Sequence, residues 1–166
     1  MDSRLYDLIS AKRSSGVLVD TNLLLLDVVG SLEPDLIHRF KRTHTYSAEE
    51  YFLLQRFSGL FSLRLTTAHI LAEVSNLLGQ LPTRSIAEAY GALQRRYGTY
   101  SEPSLSTSQC LSDPLFQRLG LTDAGIATLA STHSPLVLTD DFPLALALEK
   151  RSVAVLNFNH IRDWSP

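Results

Sequence analysis

Five acidic residues occupy positions from which their carboxylates can act together, although they are far apart along the chain. Asp20 ends a short apolar run, and Asp140 and Asp141 end another. Asp123 begins a helix-like segment, and Glu73 lies inside a helix-like segment that follows a strand-like one. Because ligands bind beyond the carboxyl ends of the strands in an open parallel sheet, these side chains are expected to converge there.

Carboxylates that gather in one place repel each other, so the pKa of one of them rises unless a cation is present. Hard divalent ions prefer oxygen ligands, and Mg²⁺ is bound through a few carboxylates together with water and phosphate oxygens. Such an ion lowers the pKa of a water molecule and stabilises in-line displacement at phosphorus. An acid cluster of this kind therefore suits phosphodiester hydrolysis without a protein nucleophile.

Each acid also has a purely structural interpretation. Asp20 is a suitable N-cap for the segment that follows it, and Asp123 suits the first turn of a helix, where an acid interacts favourably with the dipole. Glu73 fits an exposed helix position, and the pair Asp140-Asp141 fits a turn followed by a cap. The functional hypothesis depends on the joint pattern rather than on any one residue.

The elements that must position these acids alternate between strand-like and helix-like patterns. The predicted strands cover residues 16–20, 63–66, 136–139 and 153–157. The main predicted helices cover residues 23–29, 47–57, 68–78, 83–97, 122–131 and 143–150. Strands separated by helices indicate an α/β fold, a three-layer α/β/α sandwich with a central, mostly parallel sheet. We predict one domain over residues 1–166.

Three local signals refine these boundaries. Gly30 is expected to stop the helix that begins after Asp20, because glycine disfavours helix interiors. A short strand is expected near Gln109, at the end of a Ser- and Thr-rich stretch. Thr122 is expected to be the N-cap of the helix that carries Asp123.

Composition excludes several classes of protein. The longest apolar runs are far shorter than the roughly 20 residues of a membrane span, and the first residues lack the pattern of a secretory signal. A cytoplasmic location is therefore expected. Cys110 is the single cysteine, so it makes no internal disulfide and no thiolate zinc site by itself. The net charge of −2 means that phosphate binding would depend on local basic clusters or bound cations.

Four segments taken together resemble the PIN domain, a family of ribonucleases. VLVDTNLLL resembles its first motif, a strand that ends in Asp before Thr and Asn, and TTAHILAEVSNLL resembles the second, with its helical Glu. LGLTDAGIATLA resembles the third, and VLTDDFPLALAL resembles the fourth, a strand that runs into Thr-x-Asp. One such segment alone is weak evidence for the family, whereas all four segments in this order form a specific pattern. They cover residues 17–25, 66–78, 119–130 and 137–148.

The resemblance implies a Mg²⁺- or Mn²⁺-dependent endoribonuclease that hydrolyses RNA with a metal-activated water. It also implies a homodimer. The implied catalytic and metal-binding residues are Asp20, Glu73, Asp123 and Asp141. Thr139 would orient a carboxylate or a water, Asn22 would shape the first loop, and Asp140 would be a supporting residue. Either half of the Asp140-Asp141 pair can face the metal, and the family pattern favours Asp141.

The chain departs from the compact members of the family in two places. The stretch between the first two motifs, residues 27–65, is longer and contains the basic segment HRFKRTH. His69 precedes Glu73 by four positions, so the two share a helix face. His69 can therefore touch the site, or it can simply bond to backbone or solvent.

Two alternative functions stay open, namely the toxin of a toxin–antitoxin pair with an antitoxin partner, and a non-catalytic binding or assembly module. A flap-type DNA nuclease is not favoured, because neither its additional acids nor its DNA-binding helical element is found.

Basic side chains are the candidates for RNA contacts. They would hold phosphates and so position the strand, and Tyr97 and Tyr100 would stack on bases. A solvated surface explains the basic runs equally simply, and a core position explains the tyrosines. The candidate RNA contacts are Arg39, Lys41, Arg42, Arg95 and Arg96.

Overall fold

The computed structural model describes residues 3–162, in which helices and short strands alternate. The strands are β1 (Val17–Val19), β2 (Arg64–Leu65), β3 (Leu136–Thr139) and β4 (Val155–Asn157). The α-helices of this part of the chain are α1 (Ser3–Lys12), α2 (Thr21–Leu32), α3 (Leu36–Arg39), α4 (Ala48–Ser58), α5 (Ala68–Leu78), α6 (Thr83–Tyr97), α7 (Thr107–Ser112), α8 (Phe116–Leu119), α9 (Leu121–His133) and α10 (Phe142–Glu149). A 3₁₀ helix covers Phe158–Ile161.

The four strands form one parallel sheet in the order β2-β1-β3-β4. Every residue of β1 and β3 is buried, which explains their continuous apolar sequence, because a parallel sheet is covered on both faces. Helices flank the sheet, and the predicted three-layer α/β/α fold with a central parallel sheet is confirmed.

Helix α2 follows β1 directly and is buried along most of its length, from Thr21 and Leu23 to Gly30. It packs against α3, α4, α5 and α6, which explains why its sequence is apolar on all sides. Its first turn is thereby held rigidly at the carboxyl end of β1.

The prediction that Gly30 ends this helix is wrong, because α2 continues to Leu32. A Cβ atom at Gly30 would lie 2.5 Å from Cδ2 of Tyr51 on α4. Glycine is therefore needed for the close approach of α2 and α4. The residue that was interpreted as a helix stop is present because of packing.

We expect Gly30→Ala to destabilise the protein by about 1 kcal/mol, since the cost of overpacking against Tyr51 exceeds the gain in helix propensity. Gly91→Ala in α6 is the matched control, because its Cβ would meet only the guanidinium end of Arg95, at 3.3 Å. This control should be neutral or stabilising. Urea unfolding of both variants measures the difference, and a stabilised Gly30→Ala protein would contradict the packing explanation.

Two further local predictions are wrong. The segment before Gln109 forms no strand beyond an isolated bridge between Leu65 and Ser101, and it continues into α7. A capping box starts α7, in which Ser106 and Gln109 exchange side-chain and backbone hydrogen bonds. Thr122 lies inside α9, whose N-cap is Gly120 at φ +92°. Helices α1 and α3 were not anticipated from the sequence.

None of the helices between residues 3 and 162 combines the length and the apolar character that crossing a membrane requires.

Candidate active site

The carboxyl ends of β1 and β3 define the position of the candidate site. These strands are neighbours, with Val19 paired to Leu138, and the chain leaves β1 toward β2 on one side but later returns to β3 on the other. This reversal makes the gap between them the topological switch point, where ligands bind in open α/β sheets. Asp20 directly follows β1, and Asp140 directly follows β3.

A cavity of about 480 Å³ opens at this point. All four predicted metal-site acids line it, each contributed by a different element or loop. Asp140 is not among its lining residues. The acids that line the cavity are Asp20, Glu73, Asp123 and Asp141.

Asp20 is held by hydrogen bonds to both of its carboxylate oxygens. Oδ1 accepts from the backbone N–H of Leu23 at 2.9 Å, which makes Asp20 the N-cap of α2. Oδ2 accepts from the hydroxyl of Thr139 and from the backbone N–H of Asp140, the latter at 3.1 Å. Asp20 is therefore the N-cap that its position predicted, and the same side chain also lines the cavity.

Burial and, to a smaller extent, the negative charge of Asp140 raise the pKa of Asp20 to about 7, against the lowering effect of the three donors. Only 4 % of Asp20 is exposed. An anionic carboxylate in this position is thus costly without a compensating positive charge.

Asp123 lies in the first turn of α9 and is only partly buried. Burial raises its pKa to about 6, and the negative charges of Asp141 and Glu73 contribute to the same shift. The three carboxyl groups therefore interact electrostatically through the cavity, although 50 residues separate Glu73 from Asp123 in the sequence.

Thr139 connects two of the acids. Its hydroxyl donates to Asp20 and accepts from the backbone N–H of Asp141 at 3.0 Å. Asp141 in turn caps α10, with Oδ1 accepting from the N–H of Leu144 at 2.8 Å. A fully buried threonine at the end of β3 thus connects the carboxylate of Asp20 to the backbone of Asp141.

The side chains of Glu73 and Asp140 have different surroundings. Glu73 accepts from the hydroxyl of Thr21, the first residue of α2, at 3.3 Å. Asp140 does not line the cavity, and it accepts from two donors, the hydroxyl of Tyr46 and the amide Nδ2 of Asn22, the latter at 3.2 Å. Of the two adjacent acids, Asp141 is the one that lines the cavity. Sequence reasoning missed Tyr46, which lies in the long stretch between the first two motifs.

His69 lines the same cavity, one helical turn before Glu73. Its Nδ1 is buried without a hydrogen-bond partner among the described residues, and its Nε2 lies 3.5 Å from Oγ1 of Thr107. Gly125 on α9 leaves room for this ring, since a Cβ there would lie 3.4 Å from Nδ1.

None of the five basic residues considered for RNA contacts lines the cavity. Arg39 pairs with exposed Glu33 at 2.6 Å, whereas Arg96 pairs with buried Asp27 at 3.3 Å. The guanidinium of Arg96 is thereby committed to an internal ion pair. Arg42 donates to Gln80, and Lys41 and Arg95 are exposed.

Comparisons of the chain with models of protein families, with curated proteins and with solved structures found no match. The resemblance of the four motifs to the PIN domain therefore stays a prediction. Any assignment of function depends on the chemistry of the cavity at the switch point.

Proposed function

We propose that this chain is a Mg²⁺- or Mn²⁺-dependent endoribonuclease of the PIN-domain type. The observation that carries the proposal is that four acidic residues, distant in sequence, line one cavity at the carboxyl ends of β1 and β3. The raised pKa values of Asp20 and Asp123 add to it. Perturbed carboxyl groups in a cleft are typical of functional sites.

The donor chemistry of the cavity fits a hard divalent ion. Within residues 3–162, no three His, Cys, Asp or Glu side chains form a ready-made metal-binding group. Mg²⁺ does not need one, because it keeps several waters and is bound through one or two carboxylates. A cavity of about 480 Å³ leaves room for such waters, so we infer an ion that is partly hydrated.

Asp20, Glu73, Asp123 and Asp141 would hold this ion. When bound, it would supply Lewis acidity, which lowers the pKa of a water molecule and offsets charge that builds up at phosphorus. The chain itself holds two of these carboxylates, those of Asp20 and Asp141, before any ligand arrives, through the Thr139 hydroxyl and the N–H groups of α2 and α10. Such preorganisation avoids rearrangement during the reaction.

RNA as the substrate is supported by the resemblance of the motifs, since the cavity chemistry suits any phosphodiester. A second candidate function, a non-catalytic PIN-like module, is favoured by one observation. Both oxygens of Asp20 already accept hydrogen bonds from the protein itself, as they would if the residue only shaped the loops.

Calorimetric titration with Mn²⁺ and Mg²⁺, followed by incubation with labelled single-stranded RNA, separates the two functions. We expect the wild type to bind the ion and cleave RNA, and the double variant Asp20→Asn/Asp123→Asn to do neither. The matched control is Asp35→Asn/Glu149→Gln, which removes the same charge from exposed positions and should behave as the wild type.

If the wild type binds no ion, the non-catalytic module is favoured. Cleavage that persists in the double variant of the site would refute the assignment of the acids, and a DNA strand of the same sequence tests the preference for RNA.

A further inference from the structure

Tyr46 lies in the long stretch between the first two motifs and contacts Asp140, at the carboxyl end of β3. Tyr46 ends the turn before α4 and is 4 % exposed. Its hydroxyl donates to Oδ2 of Asp140, a residue 94 positions later in the chain. Asn22 donates to the other oxygen of Asp140, Oδ1, at 3.2 Å. The carboxylate of Asp140 is therefore held by two donors, one from each side.

Asp140 passes this restraint on to Asp20. The backbone N–H of Asp140 donates to Oδ2 of Asp20 at 3.1 Å, and the adjacent Thr139 hydroxyl donates to the same oxygen. Because the side chain and the N–H belong to one residue, fixing the carboxylate of Asp140 also fixes the direction of its N–H. The resulting path runs from Tyr46 through Asp140 to the carboxylate of Asp20.

We propose that Tyr46 is a positioning residue of the candidate site, which orients Asp20 for cation binding by holding the loop after β3. The inference deepens the proposed function and, for its cation-binding part, rests on it. Burial and the charge of Asp140 both raise the pKa of Tyr46 above its ordinary value, so the hydroxyl keeps its proton and remains a donor. Residues that orient metal ligands typically affect metal affinity by about 10- to 100-fold.

Tyr46→Phe removes the hydroxyl and keeps the buried ring. We expect Mn²⁺ affinity to fall by about 10-fold, as measured by calorimetry. The matched control is Tyr51→Phe, which removes another buried tyrosine hydroxyl, one that accepts from Arg96 at 3.4 Å outside the cavity. The control should keep the Mn²⁺ affinity of the wild type, whatever its thermal stability.

A second measurement does not depend on a metal. We expect the amide proton of Asp140 to be protected from hydrogen exchange in the metal-free wild type and to exchange at least about 10-fold faster in Tyr46→Phe, but not in Tyr51→Phe. A double-mutant cycle with Asp140→Ala tests the path, because alanine removes the acceptor of the Tyr46 hydroxyl. In the Asp140→Ala background, the hydroxyl deletion should change Mn²⁺ affinity by less than about twofold, since its route to Asp20 is already broken.

The outcomes separate this inference from the proposed function. A wild type that binds no Mn²⁺ contradicts the proposed function, and the exchange of the Asp140 amide then decides whether Tyr46 positions the loop. A folded Tyr46→Phe protein with unchanged amide protection overturns the inference. Unchanged Mn²⁺ affinity in that variant, with binding by the wild type, overturns its part in cation binding.

Discussion

Asp20→Asn and Asp141→Asn are each expected to lower metal-dependent RNA cleavage by at least about 100-fold while the protein stays folded. Both residues are N-caps, of α2 and α10, and Asn caps a helix about as well as Asp. If capping were the only role of Asp141, its substitution would be nearly silent. Asp20→Asn would cost some stability in any case, because one of its two accepting oxygens becomes an N–H donor. A carboxylate that holds a divalent ion cannot be replaced by an amide in this way, because the negative charge is lost.

The measurement is single-turnover cleavage of labelled RNA at saturating Mn²⁺, with circular dichroism to confirm the fold. Asp113→Asn is the control, since Asp113 lies outside the cavity lining and pairs with Arg151 at 2.7 Å. It should lose stability and keep its cleavage rate. If both cap variants cleave at the rate of the wild type, the acids are structural, and the non-catalytic module becomes the better hypothesis.

The position of the acids could be predicted from the sequence because it follows from short-range features. A strand that ends in Asp before a capped helix places that carboxylate at the sheet edge, and this holds for Asp20 and for the pair after β3. The proximity of Glu73 and Asp123 could not be predicted from local patterns, because it depends on the packing of α5 against α9, which are distant in the sequence. The parallel sheet was predictable from alternation, whereas its strand order was not.

What the sequence did not reveal depends on contacts between distant segments. The role of the Tyr46 hydroxyl depends on its hydrogen bond to Asp140, 94 positions later in the chain. No local sequence pattern predicts that contact. Gly30 was misinterpreted for the same reason, since its partner Tyr51 lies on another helix. Hydrophobic periodicity also could not predict whether Asp140 or Asp141 lines the cavity, because both residues follow the end of β3.

Asp123→Asn is expected to stabilise the metal-free protein by about 2 kcal/mol at pH 7, less than the full pKa shift corresponds to, because solvent screens a partly exposed carboxylate. The pKa of Asp123 is raised from its ordinary value of 3.8 to about 6, chiefly by burial and then by the charges of Asp141 and Glu73. At pH 7 the folded protein must therefore hold an unfavourable anion there. Asn removes that charge, and within residues 3–162 the Asp123 side chain makes no hydrogen bond that the change would break.

The pH dependence has a defined sign. Between pH 3.8 and about 6, the folded protein keeps the Asp123 proton that the unfolded chain has released, so the contribution of Asp123 to wild-type stability falls as the pH rises. The advantage of Asp123→Asn should thus be absent below pH 3.8, grow up to about pH 6 and stay constant above it. Asp113 shows the opposite sign, because hydrogen bonding to Arg151 lowers its pKa. Its contribution is present at neutral pH and is lost in acid, so Asp113→Asn should be destabilising at pH 7.

Urea unfolding after treatment with a chelator measures these differences, and the addition of Mn²⁺ then provides the decisive comparison. An ion that binds only the folded state stabilises it by about 2.7 kcal/mol at 100 times its Kd. The wild type should therefore recover the stability that it lacks relative to Asp123→Asn, whereas the variant should gain little. A variant that is less stable than the wild type without metal would show that the acids are not electrostatically strained. Equal gains from Mn²⁺ in both proteins would place the ion away from Asp123, because a carboxylate that repels its neighbours in the metal-free state is the group that an ion at this cavity would neutralise first.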